Sequence, residues 1–190
     1  MGRFRLLAVK EVQPKTFSFS SDARRTFRQV SRNASGASLE PLEGEVVFFG
    51  CDVEGTVVSV ASLLLDHPKP EMWDEDEQSV NDICSEDWDA ETCTTVAEWD
   101  CCSANKLSFL FVLPRHQRRG YGRQLMDFVE SYAWARSDRP IKLESSRRGL
   151  DFFTQLGYIP VGDPIHCAHP SSSLFKTLQR MIKMRKRRLN

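Results

Sequence analysis

The sequence predicts a mixed α/β domain, on three observations. Short β-rich runs recur along the chain, interleaved with helical patterns, the alternation that builds a sheet flanked by helices. The 190 residues suit one core of ordinary size, and neither a repeat nor a clear linker divides them, so the expected unit is a single domain over 1–190. One strand hands over to a helix through a loop that carries two glycines and two adjacent arginines.

The elements follow in order. "RFRLLAV" (3–9) reads as a short strand. "SSDARRTFRQVSR" (20–32) offers Ser20, Ser21 or Asp22 as an N-cap and continues as a helix. "NASGASLEPLEG" (33–44) is turn-rich, and "EVVFFGCDVEGTVVSVASLLLD" (45–66) reads as a hairpin folded at Glu54–Gly55. From about 67 to 105 the chain turns acidic and loses periodicity, which predicts a long loop or insertion. "KLSFLFV" (106–112) is a strand, and residues 120–135 form a helix with Tyr121, Leu125, Phe128, Val129, Tyr132 and Ala133 on one face. "PIKLESS" (140–146) is a further strand, "RRGLDFFTQLGY" (147–158) a short helix stopped by Gly157, and "YIPVG" a strand entry. "LFKTLQRMIKMR" (174–185) fits either a last strand or an amphipathic helix.

Zero net charge hides strong segregation. Residues 1–34 carry a net +6, residues 35–105 a net −17, and residues 106–190 a net +11. Residues 71–105 hold twelve carboxylates and no lysine or arginine, so this block either steers a cationic partner or solvates the surface, or it rests on the basic end of the chain. That basic end, at about 183–190, is either solvated or an import or RNA-contact segment; nucleic acid is not an expected partner. No apolar run approaches the roughly 18 residues of a membrane span, and the start is too short and too charged for a secretory signal. The six cysteines form no CxxC pair, so no metal site is expected, and reduced thiols in the cytoplasm or nucleus are.

The loop explains itself physically. A helix N-terminus presents unpaired N–H groups and a positive dipole end. Gly120 and Gly122 let an anion approach the backbone, and Arg118, Arg119 and Arg123 add positive charge around it. The plainer alternative is a tight turn with solvated arginines. "VLPRHQRRGYGRQLM" resembles the acyl-CoA-binding motif of the GCN5-related N-acetyltransferases, in which a strand ends near Val-Pro and Gln/Arg-x-x-Gly-x-Gly/Ala opens a helix. Gln117, Arg118, Arg119, Gly120, Tyr121 and Gly122 match in order. "LDFFTQLGYIPVG" is similar to the family's second signature, at the family's spacing.

The resemblance implies a mixed central sheet of six to seven strands, splayed between strands four and five and flanked by helices. It implies acetyl-CoA as cosubstrate, its pyrophosphate on the amides of 118 to 123, and pantetheine amides paired with backbone around Phe111 and Val112. The activity implied is acetyl transfer to a primary amine, of a small molecule or a protein; the oligomeric state stays open. Two departures bear on catalysis. Phe153 stands where family members usually place a proton-donating tyrosine, and Lys106 or Ser108 where histone-type members place a basic glutamate. A non-catalytic acyl-CoA-binding module is therefore the alternative. Replacement acids and bases are His166 and His169 in "GDPIHCAHPSSS" and Glu144 at the end of the fifth strand.

Overall fold

The computed structural model describes residues 8–12, 21–42, 44–66, 104–162, 165–166 and 180–188. In these the chain forms β1 (Ala8–Val12), α1 (Ser21–Ser35), β2 (Val46–Cys51), β3 (Val57–Leu64), β4 (Asn105–Val112), α2 (Tyr121–Trp134), β5 (Ile141–Ser146), α3 (Leu150–Gln155), β6 (Ile159–Pro160), β7 (Ile165–His166) and β8 (Arg180–Lys186). One open sheet runs β1-β2-β3-β4-β5-β8-β6, and β7 also pairs with β8. Six strands have five residues or more, as expected, and β6 and β7 add two residues each. Every described pairing is antiparallel except β4 with β5.

Strand alternation divides the apolar residues between two cores. Val46, Phe48, Ala61, Leu63, Leu107, Ile141, Leu143 and Met184 face α2 and α3. Val47, Phe49, Val60 and Phe109 face the other way, onto Phe27 and Val30 of α1. Leu107 and Phe109 are two apart, yet they enter opposite cores. The register accounts for it: Leu63 pairs with Leu107 and Ser62 with Phe109, which leaves Ser108 as the extra residue of a β-bulge.

Several sequence boundaries move. The first described strand is Ala8–Val12, antiparallel to 47–51; it overlaps the expected strand at 8–9 and runs past it, and residues 1–7 lie outside the described residues. Backbone pairing at a sheet edge tolerates charged residues such as Lys10 and Glu11, so the strand runs on past the apolar run. On α2, Glu130 is buried and Phe128 is 39% exposed. The inward glutamate is permitted because Lys186 Nζ donates to its Oε2 at 2.6 Å. The segment left between strand and helix is strand β8, so Lys183–Lys186 are sheet residues; 174–179 lie outside the description.

Candidate active site

Strands β4 and β5 pair only at their starts, Asn105 to Leu107 with Ile141 to Leu143. Beyond that point they separate, because each keeps its outer partner. β4 stays on β3 as far as Val112, and β5 stays on β8 as far as Ser146. Asn105 fixes the closed end. Its backbone N–H donates to Pro140 O at 3.0 Å, its Nδ2 to Arg139 O at 3.2 Å, and its Oδ1 accepts from Asp66 N at 3.1 Å. The side chain is fully buried, so it ties β3, β4 and the entry to β5 in a place water does not reach.

The open edge of β4 leads straight into the glycine loop. Leu113 N donates to Val58 O at 2.9 Å, which makes 113 and 58 a hydrogen-bonded pair. Antiparallel alternation then turns the backbone of Phe111 toward β3 and that of Leu110 and Val112 toward the gap. Of the expected pair, Val112 is the residue whose N–H and C=O face the cleft; its carbonyl accepts from Gln117 Nε2 at 3.0 Å. Phe111 instead stacks on Phe109 at 5.7 Å between ring centroids.

A short 3-10 turn, Pro114–His116, carries the chain around to Gln117. His116 Nε2 lies 4.0 Å from Asp52 Oδ2, at the tip of the β2–β3 hairpin, and its ring meets Tyr121 edge-on at 5.7 Å. Arg118 and Gly120 both take left-handed backbone conformations, φ 58° and 89°. This is the conformation that gathers successive N–H groups into an anion-holding concavity. Gly120 is the N-cap of α2 and no side chain caps the helix, so its first-turn N–H groups meet no competing acceptor from a capping residue. Arg118, Arg119 and Arg123 extend from the loop with exposed side chains. Tyr121 points into the core, 2% exposed. Gly122 brings α2 close to its neighbours: a Cβ there would lie 3.4 Å from both Val112 Cγ2 and Phe152 Cζ. The sequence motif thus maps onto one continuous surface, from the apex of the splayed strands to the helix start.

The expected acids and bases fare unevenly. Glu144 is half-buried and follows the last β4–β5 pair on β5, which puts it at the apex. His166 belongs to β7, with only its backbone described, and His169 lies outside the described residues. Phe153 is buried, edge-on to Tyr158 at 5.6 Å and to Phe152 at 5.1 Å. Tyr158 is itself 2% exposed beside Glu130, without a well-aligned hydrogen bond between them. Burial, and then the Glu130 carboxylate, push this phenol well above the ordinary tyrosine range.

One group escaped the sequence reading. Glu45, fully buried before β2, accepts from Leu42 N at 2.9 Å and from the hydroxyl of Ser108. Nothing local distinguishes it among the eighteen carboxylates of 35–105. Only the fold brings it to the bulge of β4.

A family model for the acetyltransferase (GNAT) domain matches residues 67–169, more than half of the chain. The chain belongs to the GNAT acetyltransferase family. Solved structures agree on the fold. One, from Corynebacterium glutamicum and described as histone acetyltransferase HPA2 and related acetyltransferase, is 13% identical, with a TM-score of 0.56 over 97% of this chain and 98% of that one. The ribosomal-protein-S18-alanine N-acetyltransferase of Escherichia coli is 12% identical, with a TM-score of 0.55 over 94% and 92%. Ard1 of Thermoplasma volcanium is 14% identical, at 0.54 over 96% and 98%. At such identities the likeness is one of fold. GNAT domains use acyl-CoA as cosubstrate, and this chain's loop suits the diphosphate: a backbone free of side chain at Gly120, left-handed turns, and arginines around it. Among the described residues no helix is long and apolar enough to cross a membrane.

Proposed function

We propose that this chain moves the acetyl group of acetyl-CoA to a primary amine, in a small molecule or a protein. The observation that carries the reading is the parting of β4 from β5 beyond Leu107, where the β4 edge runs on into the glycine loop. The backbone of Leu110 and Val112 would pair with the two pantetheine amides, and residues 118 to 123 would hold the pyrophosphate. That leaves the thioester at the apex, beside Ser108 and Glu144. Held there, a neutral amine attacks the thioester carbon, the C–S bond breaks, and positioning supplies most of the acceleration. Glu144 and the histidines at 166 and 169 remain candidate proton carriers. The cationic character of the acceptor rests on the acidic block at 71–105. We read the chain as one domain working in the cytoplasm or nucleus, on its lack of paired cysteine motifs.

A second reading has its own support. Phe153 offers no proton to a departing thiolate, which suits a domain that binds acyl-CoA without turning it over. One experiment separates the two. Free thiol released from acetyl-CoA is followed with a polyamine, lysine and a lysine-rich peptide, beside calorimetric binding of CoA. Binding with release supports the transferase; binding without release on any acceptor supports the binding module; no binding refutes both.

A further inference from the structure

We propose that Ser108 and Glu45 form the proton-accepting pair of acetyl transfer, with Ser108 as the catalytic residue and Glu45 as the residue that positions and relieves it. The inference rests on the transferase reading above. It starts from the geometry of the apex. Leu107 is the last β4 residue paired to β5, so Ser108 is the first residue on the open edge. Ser108 is also the bulged residue, without a register partner on β3. Bulges re-aim a side chain that the regular pleat would send elsewhere. The side chain is half-buried, at the point where the cleft begins.

Its hydroxyl donates to Glu45 Oε1. A hydroxyl has one proton and two lone pairs, so once the proton is committed to the carboxylate the lone pairs are left to accept from another donor. An amine at the apex is such a donor. The Glu45 carboxylate accepts two hydrogen bonds among the described residues, the second from Leu42 N, and no described cation pairs with it. A fully buried carboxylate whose described partners are all neutral is costly to keep, and simple turn capping would be served by a neutral side chain. On the neighbouring strand, the Ser62 hydroxyl is buried with no hydrogen-bond partner among the described residues.

The step balances. The amine nitrogen bonds to the thioester carbon, giving a tetrahedral adduct with a positive nitrogen and a negative oxygen. The nitrogen's proton passes to Ser108 Oγ as the Ser108 proton passes to Glu45 Oε1. The adduct collapses, the C–N bond is kept, the C–S bond breaks, and the electron pair leaves on the CoA sulfur. Glu45 then returns its proton through Ser108 to solvent.

The test uses the full chain. Ser108→Ala and Glu45→Gln are compared with the wild type for CoA release and for acetyl-CoA binding. Glu45→Gln keeps an oxygen for Ser108 but cannot take up a proton. Both variants should lose about 10²-fold or more in kcat, with KM for acetyl-CoA and the melting shift it induces unchanged. Ser108→Thr, which keeps the hydroxyl, should restore most of the rate. A purely structural bond predicts the reverse: lowered melting temperature in both variants, wild-type kcat in the folded fraction, and no distinction between Thr and Ala. That pattern overturns the inference while leaving the transferase reading standing. A wild type that binds acetyl-CoA and turns over no amine overturns both. If Ser108→Ala does not fold, Glu45→Gln decides alone, since its shape and hydrogen bonds are nearly preserved.

Discussion

Gly120 is the position where one substitution tests the cofactor loop most directly. Its φ of 89° lies in the left-handed region, and no side chain caps the start of α2 with a hydrogen bond. Gly120→Glu acts in two separable ways. Placing an L side chain in that backbone costs roughly 1–2 kcal/mol. For a chain of this size each kcal/mol lowers Tm by roughly 2–4 °C, so the free variant should melt roughly 2–8 °C below the wild type. The carboxylate also enters the space where a diphosphate would meet the backbone, with like charge. The assay is thermal melting with and without acetyl-CoA. A ligand at a hundred times its Kd stabilises by about 2.7 kcal/mol, equivalent to roughly 5–10 °C here. The wild type should show that shift and Gly120→Glu should not. Gly120→Ala pays the same backbone cost without the charge, and should keep a reduced but measurable shift. A folded Gly120→Glu chain stabilised as much as the wild type would refute the reasoning, because the loop would then not hold the cofactor.

Phe153→Tyr should leave acetyl-CoA affinity unchanged and raise CoA release; a lower Tm with no gain in turnover would show that the ring edge faces the core and not the sulfur. Tyr158 has its phenol raised in the fold, so its contribution is fully present below the unfolded value of about 10 and is lost as pH rises through the folded one. Tyr158→Phe should therefore flatten the loss of stability above about pH 10 in denaturant titrations followed by tryptophan fluorescence. Replacing Asp74, Glu75, Asp76 and Glu77 with Asn and Gln should raise KM for a cationic acceptor at low salt and leave that for acetyl-CoA unchanged; equal KM values in variant and wild type would make the block a solubilising segment.

The strand–loop–helix turn at 112–123 was legible because its physics is local. A strand end, two glycines and a helix start are neighbours in sequence, and backbone conformation at Arg118 and Gly120 is set within a few residues. The hairpin and α2 were legible from periodicity, with errors only where tertiary contacts override pattern, as at Glu130, turned inward by Lys186 from 56 residues away. The strand parting and the groups proposed to carry the proton were not legible. The splay between β4 and β5 came by resemblance, since no residue of either strand announces where their pairing stops. Asn105 looks like an ordinary polar residue before a strand until its three bonds are seen. Glu45 and Ser108 are 63 residues apart and meet only through the sheet.

The segregation of charge acquires a second meaning from the register. Lys142 pairs with Arg185 and Glu144 with Lys183, so these four share the sheet face opposite the α2 core. Lys106, aligned with Lys142 across the β4–β5 pair, extends the row. Like charges aligned across strands repel, and Glu144 is the one carboxylate that β5 and β8 place on this face. Lys142 and Lys183 are nonetheless 8% and 6% exposed, and both are engaged by partners. Two buried lysines in a cationic row need anions, and the row works against a cationic acceptor arriving from the same face. The two uses of the acidic block therefore have opposite signatures. If the block neutralises this row, removing four of its carboxylates lowers Tm, and KM for the acceptor stays put. If it recruits the acceptor, KM rises at low salt and Tm does not move. Measured on one variant, the pair of numbers tells self-neutralisation from recruitment.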